Sequence, residues 1–385
     1  VAKKWFGTTA ATIASLLYAL SPVAIIYSRS SWNPNPMPFF ALLTIYGISE
    51  VWQNKKFIWL PWIGVSFAFA LQMHYLGLLL IPVIGLFLLL TFIKIKNDSK
   101  QKNTFLRFCV FGFLSFFLLM SPLLLFDLKH QGMNFNAFKS FFTDRQTTVN
   151  LNPARSDRFL PVMLTTVSDL ILARQTLYSV LALAFTTTLS VFVYLRSKKK
   201  SNLQVIFVWL GFAFLGLGVY KQHVYIHYLG FIYPAIYLLV GSLLAYLLDR
   251  KSVLIKFISL VIIIYLVRLN LVNSPVRETP NRQLQRTKMA VDQIITASGN
   301  KPFNFGLIAK QNYDESYRYF LENKKAKLVR GEEGITEQLF VICEDGDKCQ
   351  PEGNSAWQIA IFGPAKVTSF WQLDYLKLYR LEKSL

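Results

Sequence analysis

The chain has 385 residues, 53% of them hydrophobic, and a formal net charge of +20. That apolar share excludes a single water-soluble globule, because several stretches reach the roughly 20 apolar residues that cross a bilayer. The distribution of charge excludes a nucleic-acid surface: residues 1–274 hold 25 Lys and Arg against 7 Asp and Glu, whereas residues 275–385 hold 16 against 14, so the excess lies in the apolar part and marks membrane topology.

In chain order, nine apolar segments are predicted as helices, at 5–26, 37–53, 57–73, 76–93, 105–126, 172–195, 203–220, 228–248 and 253–270. The fold class expected is mainly α. A polytopic transmembrane bundle spans 1–272, with a long outer loop at 127–171, and a small soluble extracytoplasmic α/β domain follows over 273–385. The connections alternate in charge. Lys3-Lys4, Lys55-Lys56, the loop from Lys94 to Arg107, Arg196 to Lys200 and Arg250-Lys251, with Lys256, hold 16 of the 25 basic residues and are assigned to the cytoplasm. The remaining connections then lie outside. The chain opens on Val1 with no visible signal peptide, from which we expect further natural sequence ahead of it.

The first outer connection, Tyr27 to Phe40, reads as a rigid interfacial corner. Pro34, Pro36 and Pro38 remove backbone donors and bar a helix until Pro38 is passed. Arg29 is a fixed cation there, a fork suited to phosphate or carboxylate, and Tyr27 and Trp32 belong at headgroup level. The alternative is an ordinary surface loop with a snorkelling Arg.

All four histidines (His74, His130, His223 and His227) fall on this outer side. Two share a pattern, His74-Tyr75-Leu76-Gly77 and His227-Tyr228-Leu229-Gly230, each opening an inward-running helix. The echo marks either two walls of one cavity or a common way of starting a helix. Lys221, Gln222, His223 and Tyr225 crowd the second turn. In the 127–171 loop, Asp127, Lys129 and His130 come first. Asn134 to Phe142 then reads as an amphipathic helix with Phe135, Phe138, Phe141 and Phe142 on a lipid-facing stripe, and a second short helix covers 159–171.

In the tail, helices are expected at Leu284–Ser298, stopped by Gly299, and at Asp314–Asn323. Strands are expected at Phe303–Ala309, Leu339–Cys343, Gln358–Phe362, Val367–Phe370 and Leu376–Leu381. No Gly-rich phosphate loop or metal-spaced His/Cys set is present there. Cys109 reads as a packing residue, and Cys343 and Cys349 as either a disulfide or two free thiols.

Ala2-Lys3-Lys4-Trp5-Phe6-Gly7, then Leu20-Ser21-Pro22 and Tyr27-Ser28-Arg29, resemble the middle of bacterial polytopic glycosyltransferases of the GT-C fold. They are similar to the protein mannosyltransferases and aminoarabinose transferases that use polyprenyl-phosphate sugars. Trp32-Asn33-Pro34-Asn35 looks like a family-39-like subgroup, and His227-Tyr228 to Pro234 resembles the family's segment near the carrier phosphate. The resemblance implies transfer of a sugar from a lipid-phosphate carrier to a protein, lipid or glycan acceptor outside the cytoplasmic membrane. An acidic residue of the first outer loop acts as base in that family, and cationic side chains steady the leaving phosphate. This chain has no matching acid ahead of Arg29, so the general base is expected upstream of Val1 and no catalytic residue is assigned. Substrate and phosphate contacts are expected from Arg29, Asn33, His74, Tyr75, Lys129, His130, Lys221, His227 and Tyr228. The lipid-linked donor is the only small molecule implied; divalent metal use is left open, and nucleic acid is not expected. The alternatives are a transporter or lipid flippase, disfavoured by the lack of an inverted repeat and of intramembrane charge, and a non-catalytic scaffold presenting the tail.

Overall fold

The structure is a computed structural model and describes residues 1–143, 158–197, 200–220, 223–310, 312–344 and 349–383. The chain divides into two compact units, Val1–Glu278 and Thr279–Leu385.

Among the described residues the elements of the first unit are helices. It contains α1 (Ala2–Phe6), α2 (Thr8–Leu20), α3 (Pro22–Ser28), α4 (Met37–Asn54), α5 (Trp59–Met73), α6 (Ile81–Ile95), α7 (Ser99–Lys129), α8 (Met133–Thr143), α9 (Phe159–Leu170), α10 (Ser179–Arg196), α11 (Lys200–Val219), α12 (Tyr233–Leu248) and α13 (Val253–Val272). Every apolar segment forms helix. Five helices among the described residues are long and apolar enough to cross a membrane, or six if α2 and α3 are one bent span.

Three expectations need correction. The segment 5–26 is not one helix: Gly7, at φ 98°, ends α1, and α3 departs from α2 at 63° across Ser21-Pro22. A proline ring at the start of α3 costs nothing there, since the missing N–H is one that no helix uses. For the same reason α4 begins at Met37, ahead of Pro38, which sits inside the first turn. The segment 172–195 is helical only from Ser179, because Ala173 and Arg174 take left-handed backbone (φ 48° and 73°).

Side-chain contacts mark the two ends of α4. At one end Lys4 and Lys56 both pair with buried Glu50, at 2.5 and 3.2 Å, and Asn202 links Gln53 to the Trp5 carbonyl. At the other end of α4 lie the Arg29 turn and the two His-Tyr-Leu-Gly turns. Between them α5 and α7 cross at glycines: a Cβ on Gly112 would stand 2.8 Å from the Leu60 carbonyl oxygen, and one on Gly64 would collide with the Gly112 carbonyl. Small residues at a crossing let helices approach where no water drives them together.

The second unit is α/β, with α14 (Gln283–Ser298), β1 (Asn304–Ile308), α15 (Glu315–Asn323), β2 (Gln338–Cys343), α16 (Trp357–Ala360), β3 (Ala365–Leu373) and β4 (Leu376–Lys383). The sheet order is β1-β2-β4-β3, with β1 and β2 parallel and the other pairs antiparallel. β2 is buried along its whole length, which its unbroken apolar run Leu339-Phe-Val-Ile342 requires. Gly299 closes α14 at φ 58°, as its position predicted. The expected strand at 358–362 is instead α16. Ile359 and Phe362, three residues apart, both bury against Leu339 and Val341, so the spacing is helical and the short apolar run alone could not show it. Cys343 and Cys349 are joined in a disulfide.

Candidate functional site

The Arg29 turn is held by polar bonds at both ends. The Ser21 hydroxyl caps α3 by accepting from the Ala24 N–H at 3.4 Å. The Asn33 amide donates to the Met73 carbonyl at 3.1 Å, tying the turn to the end of α5, and the Asn35 amide donates to the Ser30 carbonyl at 2.6 Å. The Arg29 side chain is exposed and pairs with no described residue. Asn33 thus uses one amide N–H to tie the turn in place and is otherwise exposed, as is the Arg29 guanidinium.

The two His-Tyr-Leu-Gly turns lie against one another. Each opens a three-ten helix, Tyr75–Leu80 and Ile226–Phe231, and the two helices meet. The His74 ring lies 4.4 Å from Tyr228 and 6.2 Å from His227, while Tyr75 lies 6.3 Å from Tyr228. Gly77 permits the first turn to fold back, since a Cβ there would press on the Ala70 carbonyl oxygen at 3.1 Å. The Arg29 turn completes the wall from the other side: Trp32 is 4.3 Å and Tyr27 6.0 Å from His227, ring to ring. Tyr225 is 5.6 Å from the same imidazole.

This wall carries neutral histidines. Burial, with His227 nearby, pushes the His74 pKa down to about 4, and burial lowers His227 as well. Hydrogen bonding at His74 agrees: its Nδ1 accepts the Leu76 N–H at 3.2 Å, so that nitrogen bears no proton and Nε2 is the donor. Tyr75 and Tyr220 share a hydroxyl–hydroxyl bond of 2.7 Å. The cluster thus offers neutral N–H and O–H donors with one bare guanidinium in the adjoining turn.

Tyr27, Asn35, His227, Gly230 and Tyr233 line a small cavity of about 40 Å³ beneath the turn. That is room for a water molecule or one hydroxyl. The Asn35 Oδ1 is buried and accepts nothing from the described residues, so an entering donor would be satisfied there.

Asp169 escaped the sequence reading. It lies at the end of α9, is 8% exposed, and accepts no hydrogen bond from any described residue. Burial raises its pKa, the Arg174 charge offsetting part of the effect, and its own charge acts on Tyr27 and Tyr233. The available signal was its isolation: no other acid occurs between Asp157 and Asp249.

The other expected residues stand apart from this group. His130 closes α7, its Nδ1 2.7 Å from the Phe126 carbonyl oxygen and its ring stacked on Phe126 at 4.0 Å; Lys129 beside it is exposed. No contact joins either to the His74–His227 wall among the described residues. Asp127 accepts the Asn134 and Phe135 N–H groups at 2.6 and 2.8 Å and so caps α8. Phe135 and Phe138 on α8 are 64% and 49% exposed, as a lipid-facing stripe requires. Lys221, Gln222 and the side chains of Phe141 and Phe142 lie outside the described residues. No three His, Cys, Asp or Glu side chains converge as a metal site among the described residues.

Residues 1–125 match the family of dolichyl-phosphate-mannose-protein mannosyltransferases. No curated protein and no solved structure matches the chain. The GT-C resemblance read from Lys3-Lys4 to Arg29 therefore has independent support, and the family indicates a membrane glycosyltransferase of mannosyltransferase type.

Proposed function

We propose that this chain forms the donor-phosphate wall of the membrane glycosyltransferase type matched by residues 1–125, moving a sugar from a polyprenyl-phosphate carrier to an extracytoplasmic acceptor. The observation that carries the reading is the meeting of the Arg29 turn with both His-Tyr-Leu-Gly turns, although 153 positions separate His74 from His227. Arg29 would hold the departing phosphate through charge-assisted hydrogen bonds, and His74 Nε2 would donate beside it. A lipid carrier keeps its tail in the bilayer, so its phosphate arrives at headgroup depth, where Trp32 and Tyr225 stand 48% and 51% exposed. Two features support the outward orientation. The basic residues concentrate at the Glu50 end of the bundle, and the Cys343–Cys349 disulfide suits an oxidising compartment for the C-terminal unit. Asp127 is not assigned as base, because its carboxylate is committed to capping α8.

The test is Arg29→Ala in enzyme reconstituted into liposomes with radiolabelled polyprenyl-phosphate sugars, one sugar at a time. Loss of a phosphate-stabilising donor of this kind costs on the order of 10²–10³ in rate. Insertion and thermal stability should be unchanged, because the side chain has no internal partner. Normal turnover in the variant removes Arg29 from the site.

A further inference from the structure

The C-terminal unit carries a cleft of about 390 Å³ that is separate from the wall described above. One side is a single stripe of α15, with Glu315, Arg318, Tyr319 and Glu322 at helical spacing. The opposite side is Trp357 and Gln358 of α16 together with residues 330–332. Two large rings are offered to solvent here: Tyr319 is 62% and Trp357 51% exposed. The Trp357 ring lies in van der Waals reach of residue 331, where a Cβ would stand 3.6 Å from it and 3.1 Å from Ile361. That loop is pinned from below. Asn304, 3% exposed, donates to the Val329 and Gly334 carbonyls at 2.9 and 3.0 Å and accepts the Thr336 N–H at 2.8 Å.

The polar groups between the rings are mostly paired with one another. Arg318 Nε donates to Asp314 Oδ2 at 2.5 Å, the Gln358 amide donates to the same oxygen at 3.3 Å, and Arg330 meets Glu322 at 2.8 Å. Paired carboxylates make a poor cation site, and the remaining Glu315 and Glu332 repel phosphate and sulfate. What the cleft offers is a fixed mixture of donors and acceptors flanked by apolar ring faces. A neutral polyhydroxylated ligand uses both, its hydroxyls exchanging hydrogen bonds with the carboxylates, guanidinium groups and carboxamide, and its C–H face lying on the rings.

We propose that this cleft is a carbohydrate-binding site, taking a neutral glycan chain along α15 between Tyr319 and Trp357. The binding needs no transfer chemistry and stands or falls apart from the function proposed above. The test is retention of the full chain in nanodiscs on immobilised mannan, chitin, dextran and β-1,3-glucan. At least one should retain it, equally at low and high salt, because the ligand carries no charge. Trp357→Ala and Tyr319→Ala should each weaken retention about tenfold or more, as expected for aromatic anchors. Trp357→Phe should keep most of it, and Arg29→Ala should leave it intact. All four variants should melt with the parent, which separates lost binding from lost folding. No retention on any of the four polymers overturns the proposal, as does retention indifferent to both ring deletions. Retention on poly-lysine abolished by salt, without retention on a glycan, makes the cleft an acidic peptide-binding surface and overturns it too.

Discussion

Replacing His74 by Asn isolates the titration of one buried imidazole. Asn Oδ1 can occupy the place of Nδ1 and keep the bond from the Leu76 N–H, so the three-ten turn survives while the titrating group is lost. In the folded protein His74 titrates near 4, against an ordinary value of 6.5, because burial and then the neighbouring His227 disfavour its cation. Between those values the unfolded chain binds the proton and the folded chain does not, so stability rises with pH across the window. The contribution is therefore present above about 6.5 and is lost as pH falls towards 4. One proton over one pH unit is worth about 1.4 kcal/mol, which puts the whole window at no more than about 3.5 kcal/mol. The assay is thermal unfolding in a non-sugar detergent at steps from pH 4 to pH 7.5. Parent protein should lose melting temperature steeply on the acid side, and His74→Asn should lose less, with His227 and the paired Glu50 among the groups behind the remaining slope. Superimposable pH profiles for parent and variant would refute a buried neutral His74.

Asp169 has the opposite sign. Its raised pKa means that the folded state holds a proton the unfolded state has already lost, so stability falls as pH rises from the ordinary carboxylate value through the folded one. Asp169→Asn should melt at or above the parent temperature at neutral pH and lack that fall; a lower melting temperature would show that the carboxylate is paired. Asp127→Ala should loosen the start of α8 by about 1 kcal/mol, seen as faster amide exchange at Asn134 and Phe135. Asp127→Asn should retain sugar transfer, and its loss there would give this carboxylate a chemical role. Gly64→Ala should destabilise by roughly 1–3 kcal/mol, because the added methyl meets backbone rather than a yielding side chain. An unchanged melting temperature would mean that α5 and α7 do not cross at Gly112.

Composition and period made the helices legible, because lipid-facing residues are apolar over long runs and such runs are hard to confuse with anything else. The 16 basic residues likewise announced one end of the bundle, and Glu50 buried between Lys4 and Lys56 is where two of those loops meet. Short elements were less legible. The run at 358–362 contains too few residues for its period to declare itself, so α16 passed for a strand. Pro38 was read as a barrier when it is a starting residue, a distinction fixed by which N–H groups the helix needs. The repeat of His-Tyr-Leu-Gly was visible as a pattern, but the contact between its copies was not, since proximity across 153 positions is set by how α4, α5, α11 and α12 pack.

Asp127 and Asp169 show how differently two acids of one stretch are placed. Both sit on the 127–171 stretch, and sequence attention falls on Asp127, which stands among Lys129 and His130 where a ligand would be sought. Its two oxygens, however, each take a backbone N–H of α8, which commits them to capping that helix. Asp169 lies at the end of an apolar helix, where an acid reads as a helix-end residue. Burial without a hydrogen-bond donor raises its pKa, and when ionised its charge reaches Tyr27 and Tyr233 on the cavity beneath the Arg29 turn. The corner thus joins an exposed Arg29 guanidinium to two imidazoles held neutral by burial, with the Asp169 and Arg174 charges acting on Tyr27 behind it. On the function proposed above, Arg29 would meet the departing phosphate while the neutral imidazoles add hydrogen bonds without a further charge.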